Sequence, residues 1–388
     1  MTRSTRRSRP RLVLAAAAAG ALLLSSCSGE AGASEDSILV GFTAIESGPA
    51  AFAGVPIVEG AELAAKEINE SGFLGDGVEI DLDVEDAAGD PAKAIALYKQ
   101  FAADGASAVL CCGLSSEAGA LAPIIQQSGV PGVVTSAILA DLADPPHLYR
   151  SHLLPSDEGG LFDQFVDAVV PAEGHKTAVL VVNNDNDGMV ADAKVWRAAL
   201  ERNGVEVLKE ISTSAADTNY TGPATQVAAL DPDTVVASTL GTPTSMLARA
   251  LRERGYDKRI LTSYGADSKQ LFDSAAGGME GVLFPVPFSA EFSTNDTAKS
   301  FVASFREEHG KDPDIYAAQG YTSVWFVAQG LKESGETDPA ALGEALAEIT
   351  SQDSVYGPIS YEGGQAYLSE PGLYLEWSAE GSLEQWQG

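Results

Sequence analysis

The chain has 388 residues, 45% of them hydrophobic and 20% charged, which is enough apolar material for a large core and a length that predicts two domains. A formal charge of −31 excludes nucleic acid as a partner of this surface and suits a solvated exported protein. Three cysteines cannot make a disulfide framework.

Residues 1–26 read as a leader. Arg3, Arg6, Arg7, Arg9 and Arg11 form a basic start, residues 12–24 are an apolar run too short to span a bilayer, and Leu24-Ser25-Ser26-Cys27 follows. That tetrapeptide resembles a bacterial lipobox, which implies cleavage before Cys27 and its lipidation. Arg6-Arg7 is also a weak twin-arginine export signal. Residues 27–37, lipidated cysteine included, form a small, polar and acidic tether; its flexible part reaches about 17 Å. The protein is thus expected to sit as a lipoprotein on the outer face of the bacterial cell membrane. With Cys27 acylated, the adjacent Cys111 and Cys112 remain, and they read as two buried small hydrophobes rather than a vicinal bridge.

From residue 38 strands and helices alternate. A strand over 38–43 is followed by the turn Ser47-Gly48-Pro49, and Ile57, Ala61, Ala64, Ala65 and Ile68 then give a helix that ends at Gly72. A strand over 78–84, a helix from Asp90-Pro91 to about Asp104, a strand over 106–110, a helix over 116–128 and a short strand within 130–136 complete the first series. A second series follows the loop at 154–160, with strands at 177–182, 205–211, 234–238, 259–264 and 281–285 and helices of about 10 to 17 residues between them. Helical patterns fill 297–350, and 355–377 reads as strands with glycine turns. This alternation predicts an α/β fold of two doubly wound parallel-sheet lobes.

The stretch Cys111-Cys112-Gly113-Leu114-Ser115-Ser116 carries a buried strand into a helix N-terminus. Unpaired N–H groups and the positive end of the helix dipole meet there, so the hydroxyls of Ser115 and Ser116 can join them in holding a carboxylate. The plainer alternative is that one of the serines caps the helix. In doubly wound sheets ligands bind beyond the carboxyl ends of strands near a topological switch point, where Ser115 and Ser136 fall. Enzyme chemistry finds no constellation. Glu117 occupies the place where a nucleophile elbow needs glycine, and His147, His152, His175 and His309 have no metal-ligand spacing. Asp81 with Asp83 and Asp185 with Asp187 fit no calcium loop, and no glycine loop with its lysine could cradle phosphate. No catalytic residue, cofactor or metal is therefore expected.

Residues 60–69 (GAELAAKEIN), Glu85-Asp86 with Asp90-Pro91, Leu114-Ser115-Ser116, Gly129-Val130-Pro131 and Tyr316-Ala317-Ala318-Gln319-Gly320-Tyr321 occur in order over about 38–377. Together they resemble the branched-chain amino acid type (type I) of periplasmic binding protein. The resemblance implies a monomeric extracytoplasmic receptor that closes two lobes on a small ligand and delivers it to an ABC permease and its ATPase. It implies an N-terminal lobe of 38–153 plus 286–368, a C-terminal lobe of 154–285 plus 369–388, and a three-strand hinge.

By the same resemblance, Ser115 and the loop Ser136-Ala137-Ile138 hold the ligand carboxylate, although Ile138 stands where the family carries threonine. Tyr264 takes the place of the acidic residue that pairs with the ligand ammonium, leaving Asp267 as a substitute. Leu240 and Asp187 (or Asn186) fall at second-lobe tyrosine positions, and Tyr316 with Phe52 forms an aromatic wall. A buried ammonium with no carboxylate costs several kcal/mol. These departures point to a small organic acid, amide or similar molecule held by Ser115, with an amino acid countered by Asp187 or Asp267 as the alternative. A ligand-binding sensor for a membrane signalling receptor is the second reading, and a lipid-anchored hydrolase the third.

Overall fold

Two sheets divide the chain, which the computed structural model describes over residues 37–157 and 159–388. The leader, Cys27 and the tether up to residue 36 lie outside the described residues. The first series runs β1 (Ser37–Ala44), α1 (Ala51–Ser71), β2 (Glu79–Asp86), α2 (Pro91–Asp104), β3 (Ala108–Cys111), α3 (Ser115–Ser128), β4 (Gly132–Val134) and β5 (Leu148–Leu153). The second runs α4 (Leu161–Glu173), β6 (Thr177–Asn183), α5 (Asp187–Arg202), β7 (Glu206–Thr213), α6 (Thr221–Leu230), β8 (Thr234–Ser238), α7 (Thr242–Glu253), β9 (Arg259–Thr262), α8 (Lys269–Ser274) and β10 (Val282–Val286). Then come α9 (Asp296–His309), α10 (Ile315–Ser334), α11 (Pro339–Glu348) and the strands β11 (Ser351–Ser354), β12 (Gly357–Glu362), β13 (Gln365–Leu368), β14 (Leu373–Trp377) and β15 (Leu383–Gln385).

The first sheet has the order β2-β1-β3-β4-β5-β13-β12-β11, and the second β7-β6-β8-β9-β10-β14-β15. In both, the first five strands are parallel and the order reverses beside the first strand of the series, at β1/β3 and at β6/β8. Each sheet ends in an antiparallel edge. The chain passes between sheets three times, at 153–161, 286–296 and 368–373. Helices α9, α10 and α11 share the core of the first sheet, with Phe301, Phe305, Val324 and Leu342 packed among Val40, Leu110 and Val133. The buried side chains of the second sheet, among them Val179, Val235, Ile260 and Phe284, form a separate core.

Helix α10 is buried on most sides and crosses α1 at backbone contact. A Cβ on Gly60 would lie 2.0 Å from the Ala317 carbonyl oxygen, and one on Gly320 would lie 1.9 Å from that of Ile57. Both contacts are far inside any real carbon–oxygen separation, so only glycine permits this crossing.

Four features depart from the sequence reading. Strand β5 was absent from it, because Arg150, Ser151 and His152 interrupt the apolar run, yet all six residues of the strand are buried. Most of these polar atoms are matched internally, while Arg150 Nε and His152 Nε2 are buried without a partner among the described residues. Arg150 donates to Gln365 Oε1 at 2.7 Å and to the Leu139 carbonyl, Ser151 pairs with Ser323 at 2.8 Å, and His152 Nδ1 meets the Val134 carbonyl at 3.1 Å. Helix α4 precedes the second series, α8 has only 6 residues, and the three-residue β15 adds an edge beyond Trp377.

Candidate functional site

The end of β3 builds one wall of a cleft. Cys112 leaves the strand in the left-handed region, at φ 65°, and the chain then enters α3 through an extended Leu114. Leu114 cannot cap a helix with its side chain. Glu117 does the work from inside the first turn, its Oε2 accepting from the Leu114 N–H at 3.2 Å. Ser115 and Ser116 thus leave the capping to another residue. Ser115 is buried at the cleft and Ser116 is exposed. The neighbouring loop hangs on the same turn, since Thr135 N–H donates to the Cys111 carbonyl and Ala137 N–H to that of Cys112, both at 2.9 Å.

Residues from both sheets line a cleft between them, part of it continuous with solvent. The first lobe contributes Thr43, Phe52, Ser115, Thr135 to Ile138 and Tyr316; the second contributes Asn186, Met189, Asp192, Leu240, Ser263 and Tyr264. Every one of these segments except Phe52, Met189, Asp192 and Tyr316 lies at or just beyond the carboxyl end of a parallel strand, beside the switch points of the two sheets. Phe52 and Tyr316 meet edge to face, with centroids 5.9 Å apart and planes at 85°.

Across the cleft, large side chains of the first lobe meet glycines of the second. A Cβ on Gly188 would lie 2.5 Å from Ile138 Cγ1, one on Gly241 2.9 Å from Phe52 Cζ, and one on Gly265 2.5 Å from the Tyr316 hydroxyl. The cleft is therefore closed in this structure, and these glycines leave no room for a tighter fit.

A sequence model described as "Periplasmic binding protein" matches residues 37–381. The chain belongs to that family. It is similar to the leucine-, isoleucine-, valine-, threonine-, and alanine-binding protein of Pseudomonas aeruginosa, at 23% identity over 81% of this chain and 83% of the relative. It shares its fold with the branched-chain amino acid transporter substrate-binding protein of Streptococcus pneumoniae in complex with isoleucine, at a TM-score of 0.79, 23% identity and coverage of 90% and 99%. It shares it equally with a solute-binding protein of an ABC transporter from Rhodopseudomonas palustris BisB5 in complex with 3,4-dihydroxybenzoic acid, at 0.78, 21%, and 91% and 97%. The periplasmic binding proteins are solute receptors, and this one is a binding protein, not an enzyme.

Of the residues singled out in the sequence, Phe52, Ser115, Ser136, Ala137, Ile138, Leu240, Tyr264 and Tyr316 line the cavity of this binding protein. Ser116, Asp187 and Asp267 do not. Asp187 is exposed in the first turn of α5. Asp267 is half-buried behind the cleft, where burial first, and then the nearby Asp314, pushes its pKa up to about 7. Burial likewise holds the Tyr264 phenol well above its usual range, so it stays a neutral donor.

Thr43, Thr135, Met189, Ser263 and Asp192 line the cleft but escaped the sequence reading, and Asp192 is the charged one among them. Asp192 is 0% exposed, and both of its carboxylate oxygens are buried with the Ser156 hydroxyl beside them. Burial pushes its pKa up to about 8, with the Ser156 hydroxyl pulling weakly the other way. The signal was present in the spacing. Met189, Asp192, Trp196 and Ala199 recur at three and four residues along α5, which places an aspartate on the apolar stripe of an amphipathic helix.

Proposed function

We propose that this chain is the lipid-anchored, extracytoplasmic receptor of an ABC importer. It closes two lobes on a small solute, an amino acid or a related small organic acid or amide, and delivers it to the membrane permease and ATPase. The observation that carries this reading is the cleft itself, at the carboxyl ends of two doubly wound sheets, with walls from both lobes. The lobes are 38–153 plus 286–368 and 154–285 plus 369–388, hinged where the chain crosses between sheets.

Ser115, with the backbone of the Ser136-Ala137-Ile138 loop, holds the acidic or carbonyl end of the solute at the N-terminus of α3, where the helix dipole favours negative charge. Phe52, Tyr316, Leu240 and Ile138 cover its apolar body. The names of the relatives support a small solute of this kind, since one is called an amino acid-binding protein and one structural neighbour holds an aromatic acid. Closure follows from binding because only the closed form presents both walls at once.

Lipidation of Cys27 and cleavage before it place the receptor at the membrane. Isothermal titration of the full-length chain with amino acids, aromatic acids and amides tests the ligand. A one-to-one isotherm for at least one of them is the expected result, and heats of dilution throughout would contradict the reading.

A further inference from the structure

We infer that the first lobe carries a second binding site, apart from the cleft between the sheets, for a small aliphatic amine in its ammonium form. The inference goes beyond the proposed function and does not depend on what the cleft binds. The site is a recess where the C-terminal end of α1, the start of α9, the middle of α10 and β11 meet. Its rings are Phe73, Tyr321 and Trp325, and its acids are Glu67, Asp296 and Asp353. No residue of the recess also lines the cleft.

Two observations select a cation. Glu67, Asp296 and Asp353 take part in no ion pair among the described residues, whereas Glu59 of α1 and Glu308 of α9 are paired with Lys311 and Lys66. None of the described lining residues is a lysine, arginine or histidine. The rings supply the second observation. Phe73 meets Trp325 edge to face, with centroids 5.1 Å apart and planes at 79°, and the ammonium of Lys332 lies 3.9 Å from the Phe73 centroid. This aromatic wall therefore already carries one cation, on Phe73. Trp325, whose indole attracts a cation most strongly, has no lysine or arginine over it among the described residues. It also stands where α10 opens, because every residue from 315 to 331 is buried except Trp325 and Gln329.

An ammonium on an aliphatic chain answers both features at once. Its charge sits over the indole face, its three N–H groups turn to the carboxylates, and its chain covers the remaining ring surface. A bare metal ion would use the acids and leave the rings idle, while a neutral alcohol would use the rings and leave the acids unpaired. An anion meets three negative charges.

Isothermal titration of the full-length chain with 1,4-diaminobutane, beside butane-1,4-diol and sodium chloride at matched ionic strength, tests the site. The diamine alone should give a saturable isotherm, with a dissociation constant of about 1 mM or tighter. That isotherm should persist in Ser115→Trp, whose side chain fills the cleft, and should weaken about tenfold in Trp325→Leu and in the double variant Asp296→Asn with Asp353→Asn. Both aspartates are exposed, so the double variant carries the test even if Trp325→Leu fails to fold. Equal heats from the diol or from sodium chloride would overturn the inference, as would full diamine affinity in the double variant or no diamine binding at all. Loss of the isotherm in Ser115→Trp would place the amine in the cleft, which overturns the second site and leaves the receptor reading standing.

Discussion

Ser115 reaches the cavity because Glu117 has taken over the capping of α3. That division of labour is invisible in the string Leu114-Ser115-Ser116-Glu117, where either serine is the better cap by residue type. It yields a specific expectation. Ser115→Ala should lower solute affinity by about tenfold, the worth of one hydrogen bond to a charged group, while leaving the melting temperature almost unchanged because no helix cap is lost. Calorimetric titration paired with a melting curve reads both. Position in a loop-to-helix junction was legible here, since strand, glycine and helix start are local patterns. The buried Asp192 was not found by motif, because it belongs to a helix interior and shows only as a break in an apolar stripe.

Among the elements, the alternating apolar strands and capped helices of both series were readable from periodicity because each buries a continuous stripe. Strand β5 was not, and the reason is chemical. It lies between β4 and β13 beside the first crossing, and its Arg150, Ser151 and His152 are hydrogen-bonded to partners up to 215 residues away in sequence. No local pattern can reveal such pairing. Glycines set the two closest approaches. Gly320→Leu should destabilise the first lobe by about 3 kcal/mol, since α1 must move away from α10, and thermal unfolding would show it. Gly188→Val acts elsewhere. Its side chain would strike Ile138 across the cleft, so both lobes should stay folded while solute binding weakens about tenfold or more and small-angle scattering no longer shows compaction on adding solute.

At the scale of the whole molecule, buried acids make stability depend on pH in an unusual direction. Burial raises the pKa of Glu117 to about 7 and of Asp192 to about 8, both above their unfolded values, so the folded state binds these protons more tightly. Their contribution is present at low pH and is lost as pH rises through 7 and 8. His152 runs the opposite way. Burial lowers its pKa to about 3, so it favours the fold increasingly as pH rises to about 6.5 and adds no slope above that. The ligand-free protein should therefore melt at a lower temperature at pH 8.5 than at pH 6.5, and Asp192→Asn should flatten that fall; scanning calorimetry at a series of pH values checks both. The net charge of −31 also bears on location, because such a surface gains nothing from an anionic membrane. On the proposed reading the lipid on Cys27 supplies the attachment, so Cys27→Ser should move the protein from the membrane fraction to the soluble one.

The most direct test of a receptor that closes on a small solute is a thermal-shift screen of the full-length chain beside the variant Ser115→Trp, whose side chain would fill the cavity. At about a hundred times its dissociation constant a true solute stabilises the closed form by about 2.7 kcal/mol. At least one amino acid or related acid should raise the melting temperature of the unmodified chain and leave the tryptophan variant unmoved. An equal rise in both proteins, or none in either, would contradict the account.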